Sequence, residues 1–130
     1  MVSYGSPEFL IKAAEPVQVV LFHDEGERPK WAAENFPDAV IALRVDDVTS
    51  MLSAVRNHIG IARMPCYIGD SDSVVRRLDL EMAQSDWGMW VLSHFDLRST
   101  ARVRVSREFL IEVIETQRAL ILGEQSRYWE

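Results

Sequence analysis

The chain of 130 residues has a single cysteine, Cys66, so an intramolecular disulfide framework is excluded. One thiol fits a reducing compartment, and Cys66 is best interpreted as a small apolar group of the core. The sequence also lacks an uninterrupted apolar run approaching the ~20 residues of a membrane span, and it does not begin with a basic segment followed by an apolar one. These absences predict a cytoplasmic protein that does not enter a membrane.

Basic residues are also scarce. Lysine and arginine total 14 against 20 aspartates and glutamates, which gives a formal net charge of −6. A protein that binds the nucleic-acid backbone by itself needs a basic face to displace counterions, so direct binding of DNA or RNA by this chain is not expected. With 48% hydrophobic residues the chain can bury one real core, and its length fits a single domain.

Motifs that carry catalytic chemistry are missing. The sequence contains no Walker loop, no GxGxxG, GxSxG or CxxC motif, and no closely spaced pair of histidines. His23, His58 and His94 lie on separate segments, and the acidic residues 24–27 fit no calcium-loop spacing. We therefore expect a protein that is not an enzyme and that holds neither a cofactor nor a metal.

Residues 46–67 give the clearest local pattern, a capped helix that leads into a short strand. Asp46 or Asp47 can cap the helix with a side-chain oxygen, and glycine at position 60 suits the turn that follows. Residues 61–64 are apolar enough for an interior strand, which Pro65 ends. The apolar residues at helical spacing are Val48, Met51, Leu52 and Val55.

The remaining elements alternate along the chain. Strands are predicted at residues 1–5, 17–22, 39–45, 74–80 and 87–94. Helices are predicted at residues 6–14, 30–36 and 101–122, with Gly123 as the stop of the last one. Parallel neighbours need crossover connections, so this alternation predicts an α/β fold with a mostly parallel sheet and helices on both faces.

Four segments, in order over nearly the whole chain, are similar to one family. They are SPEFL at residues 6–10, GIARMPCYI at 60–68, MWVLSH at 89–94 and LRSTARVRVSREFLIEVI at 97–114. Together they resemble the effector-binding domain of LysR-type transcriptional regulators. Two positions depart from the family pattern. The usual glycine before "GI" is replaced around Asn57 and His58, and Arg63 stands where an apolar strand residue is common, so a cleft or surface must accept its charge.

The resemblance implies a larger protein with an N-terminal winged helix-turn-helix domain, a linker helix and an effector domain. That effector domain has two α/β subdomains joined by two crossing strands, similar to periplasmic solute-binding proteins. Residues 1–130 are expected to be the second subdomain, a periplasmic-binding-protein-like half domain, with residues 1–5 and 88–95 as the crossing strands and 101–123 as a C-terminal helix. DNA would be contacted only through the N-terminal domain, which is expected to lie outside this chain.

Candidate effector contacts follow from the elements. Thr49 and Ser50 lie in the first turn of the helix after Asp47, where hydroxyls and free backbone N–H groups can hold an anion such as a carboxylate, the effector type most common in this family. The alternative is simple capping, since the adjacent aspartates would repel an anion. His94 ends a predicted strand, where open α/β sheets bind ligands. Val48 and Met64 complete the predicted set.

The leading hypothesis is thus a sensor that binds a small metabolite in a cleft between subdomains and thereby controls transcription. The alternative is a freestanding small-molecule-binding or protein-interaction module without a DNA reader. In either case the apolar C-terminal helix needs a cover, and we expect a homo-oligomer formed through it.

Overall fold

The computed structural model of the protein describes residues 1–12, 16–80 and 88–125. The strands are β1 Val2–Gly5, β2 Gln18–Phe22, β3 Val40–Val45, β4 Ile61–Met64 and β5 Arg76–Arg77. The helices are α1 Pro7–Lys12, α2 Lys30–Asn35, α3 Val48–Arg56, α4 Cys66–Gly69, α5 Ala101–Thr116 and α6 Arg118–Leu122, and a 3-10 turn covers Phe95–Leu97. The predicted α/β class is confirmed. The predicted end of the first helix, at residue 14, lies outside the described residues.

The sheet is mixed. Its five strands lie in the order β3-β2-β4-β1-β5, with β2 parallel to both β3 and β4. β1 runs antiparallel to both of its neighbours, β4 and β5. The prediction of a mostly parallel sheet is therefore wrong. β1 pairs with a strand about sixty residues further along, with Val2 opposite Met64, and local alternation of strands and helices does not encode such a long-range pairing.

Two apolar clusters cover opposite faces of the sheet, because neighbouring side chains of a strand point to opposite sides. Val20 packs in the cluster under α3, whereas Val19 and Leu21 pack against Trp31 of α2. On β4, Met64 lies in the α3 cluster, so the adjacent Arg63 points to the other face. Helices thus lie on both faces. The α3 cluster comprises Tyr4, Val20, Val45, Met51, Ala54, Val55, Ala62, Met64 and Val75.

The chain leaves α3 differently from the prediction. His58, not Gly60, takes the left-handed conformation, with φ of 62°. Gly60 is needed for a different reason, since a Cβ there would lie 2.7 Å from the carbonyl oxygen of Gln18 on the adjacent strand. Asp47 is the N-cap of the helix, as one of the two predicted alternatives, and its carboxylate accepts from Ser50 N at 2.8 Å.

The connections around β2 reverse direction. From β2 the chain passes through α2 to β3 on one side, and then through α3 to β4 on the other side. Right-handed crossovers in opposite directions place their helices on opposite faces, as α2 and α3 are. The gap between the carboxyl ends of β2 and β4 is consequently a topological switch point, the place where open α/β sheets bind ligands.

The segment before α5 differs most from prediction. Residues 88–94 have no regular secondary structure, and Trp90 and Leu92 are 81% and 88% exposed. A strand needs a neighbour to satisfy its backbone and cover its side chains, and the described part of the chain offers this segment none. Position 87, where the predicted strand begins, lies outside the described residues. The predicted strand at residues 74–80 is reduced to Arg76–Arg77.

The C-terminal region is helical, as predicted, but it is divided. α5 ends at Thr116, Gln117 interrupts the helix, and α6 stops at Gly123, whose φ of 77° fits the predicted glycine stop. The Arg77 guanidinium donates to the carbonyl oxygen of Gly123 at 3.0 Å, which ties the end of α6 to β5. None of the helices within the described ranges is both long and apolar enough to cross a membrane.

Candidate functional site

A cavity of about 520 Å³ lies at the switch point. The carboxyl ends of β2 and β3 open into it, and β4 contributes Arg63 from its carboxyl-terminal half. Because β1 runs antiparallel to β4, the amino end of β1 reaches the same edge of the sheet. The lining residues are Met1, residues 22–25, Asp46 and Arg63.

The loop after β2 that forms one wall of the cavity is held in place from two sides. The Glu25 carboxylate accepts from Phe22 N at 2.7 Å and from Trp31 Nε1 at 3.2 Å. The Arg44 guanidinium donates to the carbonyl oxygens of Phe22 at 3.1 Å, of Glu25 at 2.6 Å and of Gly26 at 3.2 Å. These bonds close the loop on itself and anchor it to α2 and β3, so this wall is organised before any ligand arrives.

Arg63 is the polar group of the cavity whose hydrogen bonding is incomplete. Its Nε is buried and has no hydrogen-bond partner among the described residues. Leaving a buried donor unsatisfied costs about 1–3 kcal/mol, and an anionic ligand in the cavity would offset the positive charge of the same guanidinium.

Acidic residues also line the cavity. Asp24 and Asp46 line the same cavity, and both are exposed. Glu25 also lines it, but its two oxygens are already engaged by Phe22 and Trp31. The side chains that line the cavity therefore include one arginine and two exposed carboxylates. A ligand with an anionic and a cationic end matches this distribution better than a simple anion does.

The predicted contacts at the start of α3 lie elsewhere. Thr49 and Ser50 are exposed in the first turn, and the Asp47 carboxylate accepts from Ser50 N at 2.8 Å and from Ser50 Oγ at 2.6 Å. These hydrogen bonds from Ser50, the side-chain one first, hold the pKa of Asp47 below its usual value. The hydroxyl of Ser50 is thus engaged in capping, which is the alternative that the sequence left open.

The other predicted contacts are separated from one another. Val48 is half-buried at the start of α3, and Met64 is fully buried in the α3 cluster. His94 is exposed beside the 3-10 turn, where its Nδ1 accepts from Asp96 N at 3.3 Å. The structure brings only Val48, Thr49 and Ser50 together. None of the five predicted residues is among those that line the cavity, and their contact with an effector stays a prediction.

Two arginines of the site carry a signal in the sequence. Arg63 is a charge inside a short apolar strand, and Arg44 interrupts an apolar run in the same way. A charged residue in an interior strand must reach a partner, solvent or a cavity. In this protein Arg44 reaches backbone carbonyl groups, and Arg63 reaches the cavity. Charges that interrupt apolar strand segments are therefore a sequence signal that points to both residues.

Comparisons with protein-family models, with curated proteins and with solved structures find no match to this chain. The resemblance to LysR-type regulators therefore rests on the sequence motifs alone. In the part of the chain that the structure describes, no group of three or more His, Cys, Asp or Glu residues is arranged to hold a metal ion. The fold and the site together define an α/β protein with a mixed five-stranded sheet and a charged cavity at its switch point.

Proposed function

We propose that this chain is the effector-sensing region of a LysR-type transcriptional regulator and that it binds a small carboxylate at the switch-point cavity. The observation that carries the sensing role is Arg63, a positively charged side chain that lines the cavity and whose buried Nε has no hydrogen-bond partner in the described structure. The transcriptional role is supported by the sequence resemblance. DNA would be contacted by a domain outside this chain.

The ligand class follows from charge. Arginine presents a planar set of N–H donors that matches a carboxylate, and the pair is strongest where water is excluded. An ammonium group on the same ligand would face Asp24 and Asp46, which offset its charge. We therefore propose a zwitterion of the size of an amino acid as the preferred ligand, with its carboxylate on Arg63.

Signalling would need no catalysis. A ligand changes the equilibrium between two arrangements only by as much as its affinity for them differs. The resemblance implies a second subdomain that faces this one across a cleft. A ligand held at Arg63 and in contact with both subdomains would favour the closed arrangement and so change how an attached DNA-binding domain meets its operator.

The binding role is tested by thermal shift and calorimetry with three matched probes: an α-amino acid, the corresponding carboxylic acid without the amino group, and the corresponding amine. Ligands that bind the folded state raise its Tm. We expect the largest increase from the amino acid, a smaller one from the acid and none from the amine. Binding of the amine alone would contradict the assignment.

Arg63→Leu is the matching variant, because leucine keeps an apolar strand position without the donor. It should weaken binding of the acid at least about tenfold, since the ligand carboxylate loses its charged hydrogen bonds. The control is Arg98→Leu, which removes an equivalent charge from an exposed position over the Phe95 ring. Equal affinity in wild type and Arg63→Leu would refute the site.

The transcriptional role has a separate test in the reading frame ahead of Met1. An in-frame winged helix-turn-helix segment would support the regulator. A ribosome-binding site placed directly before Met1 would instead favour a freestanding binding module, and it would leave the ligand assignment standing.

A further inference from the structure

The turn after β2 carries one of the two acidic residues that would face the ammonium group of the proposed ligand. Glu25 N donates to the carbonyl oxygen of Phe22 at 3.2 Å, so residues 22–25 close a tight turn with Asp24 near its middle. Asp24 is exposed and lines the cavity. A carboxylate on an exposed turn is held only as well as the turn is, so the bonds that fix this turn decide where Asp24 lies.

One side chain of the neighbouring strand β3 holds both ends of this turn. The Arg44 guanidinium donates to the carbonyl oxygen of Phe22 at 3.1 Å, where the turn begins, and to that of Glu25 at 2.6 Å, where it ends. A third bond reaches the carbonyl oxygen of Gly26 at 3.2 Å. The planar set of arginine donors therefore gives partners to several carbonyl groups of the loop and fixes their spacing.

The same strand leads to the second acidic residue of the cavity. Asp46 follows two residues after Arg44, directly beyond the end of β3, and it lines the cavity as Asp24 does. The backbone adds another link, because His23 N donates to the carbonyl oxygen of Val45 at 2.8 Å. The bonds made by Arg44 and Val45 therefore set the position of the turn with Asp24 relative to the strand end with Asp46.

Repulsion between like charges gives this link a consequence for ligand binding. Two carboxylates that are to face one ammonium group repel each other before the ligand binds, and an unrestrained loop would respond by moving one of them away. Groups that are already held in the bound arrangement bind more tightly, because less conformational freedom is lost on binding. Arg63, which would hold the ligand carboxylate, belongs to β4 and not to this turn.

We propose that Arg44 is a positioning residue that fixes Asp24 relative to Asp46 and so gives the cavity its preference for a ligand with an ammonium group. Arg44 is not among the residues that line the cavity, so it acts through the turn and not by contact with the ligand. The inference rests on the proposed function, to which it adds the residue that sets selectivity between an amino acid and the corresponding acid.

Selectivity is measured by calorimetry as the ratio of the Kd of propanoate to the Kd of alanine, two probes that differ by the ammonium group. Arg44→Met removes the donors. It should lower this ratio about fivefold, the upper range for an ion pair open to solvent, while the Kd of propanoate stays within about twofold. Arg44→Lys should lower the ratio too, because a lysine ammonium cannot replace the planar fork of donors.

The matched control is Arg28→Met. Arg28 also follows the turn closely in sequence, but it donates to the carbonyl oxygen of Pro37, outside the turn. Its replacement removes the same charge without releasing residues 22–25, so the wild-type ratio should be kept. A ratio that fell as far in Arg28→Met as in Arg44→Met, or that fell in Arg44→Met but not in Arg44→Lys, would assign the effect to charge alone and overturn the positioning role.

A double-mutant cycle tests whether Arg44 acts through Asp24. In the Asp24→Asn background the ratio is already reduced, and Arg44→Lys should change it little further. An Arg44→Lys effect of the same size with and without Asp24→Asn would contradict the inference. Arg44→Lys keeps the charge and most of the side-chain length, so the cycle stands even where Arg44→Met does not fold. Circular dichroism establishes which variants are folded.

Arg63→Leu separates this inference from the proposed function. Weakened propanoate binding in Arg63→Leu, together with a wild-type ratio in both Arg44 variants, would remove the role of Arg44 and leave the site standing. Equal propanoate affinity in wild type and Arg63→Leu, or no binding of either probe by the wild type, would refute the site itself, and the role of Arg44 would fall with it.

Discussion

His58 holds an unfavourable backbone conformation at the exit of α3, and its side chain makes two contacts that offset the cost. Its φ is 62°, in the left-handed region that favours glycine. Its Nδ1 lies 2.7 Å from Ser6 Oγ, and its Nε2 lies 2.9 Å from Glu8 Oε2. Position 58 therefore has a backbone that favours glycine, and the two side-chain contacts are made only because histidine stands there.

Replacement of His58 separates these two effects. His58→Ala and His58→Gly both lose the contacts to Ser6 and Glu8, but only glycine relieves the left-handed backbone. We expect His58→Gly to be more stable than His58→Ala by about 1 kcal/mol, as measured by urea unfolding. Within a regular helix the alanine variant would be the more stable of the two. Equal or reversed stabilities would therefore show that residue 58 does not hold the left-handed conformation.

Gly69 is fixed by the ring of Tyr4. A Cβ at position 69 would lie 2.3 Å from Tyr4 Cζ, and Tyr4 is fully buried with its hydroxyl donating to Asp70 Oδ1 at 2.8 Å. The ring cannot move without breaking that bond, so Gly69→Ala should lower the free energy of unfolding by about 3 kcal/mol. Gly26→Ala is the control, since a Cβ there meets nothing within 4 Å.

A change within about 0.5 kcal/mol is expected for the Gly26 control in the same chemical denaturation measurement. If Gly69→Ala changed the free energy of unfolding as little as Gly26→Ala does, the close packing of α4 against β1 would be contradicted.

At the scale of elements, the Asp47 cap makes the stability of α3 depend on pH. Hydrogen bonds from the Ser50 side chain and backbone lower the pKa of this carboxyl group from its ordinary 3.8. A lowered pKa in the folded state means that the stabilisation is present above the unfolded value and is lost as pH falls through the folded value. Asp47→Ala should therefore lower the Tm at neutral pH.

The Tm difference between wild type and Asp47→Ala should shrink as pH falls below the ordinary value of 3.8 and through the lowered folded value, because the cap then becomes protonated. Asp46→Ala is the neighbouring control, since Ser50 donates to Asp47. A Tm difference that stayed constant through the acid range would mean that the carboxylate charge does not contribute to the cap.

Elements with strong local signals could be predicted, and those that depend on distant partners could not. The Asp47 cap and the apolar spacing of Met51 and Val55 define α3 by themselves. The direction of β1 depends on its pairing with β4, far along the chain. Residues 88–94 are apolar like a buried strand, but a strand forms only where another strand accepts its hydrogen bonds.

At the scale of the whole molecule, the site was accessible to sequence reasoning only in part. Ligands are expected at the carboxyl ends of parallel strands, and the sequence pattern places such an end at His94, where the structure has no strand. The switch point depends on strand order, and periodicity does not report strand order. Arg63 was visible as a charge in an apolar strand, although its cavity was not.

The most direct test of the cavity is the set of NMR signals from the Arg63 guanidinium, assigned by their absence in Arg63→Leu. Titration with the amino-acid probe should shift these guanidinium signals, together with backbone signals of residues 22–25 and Asp46. Shifts confined to Thr49, Ser50 or His94, with the Arg63 signals unchanged at saturation, would contradict the proposed site.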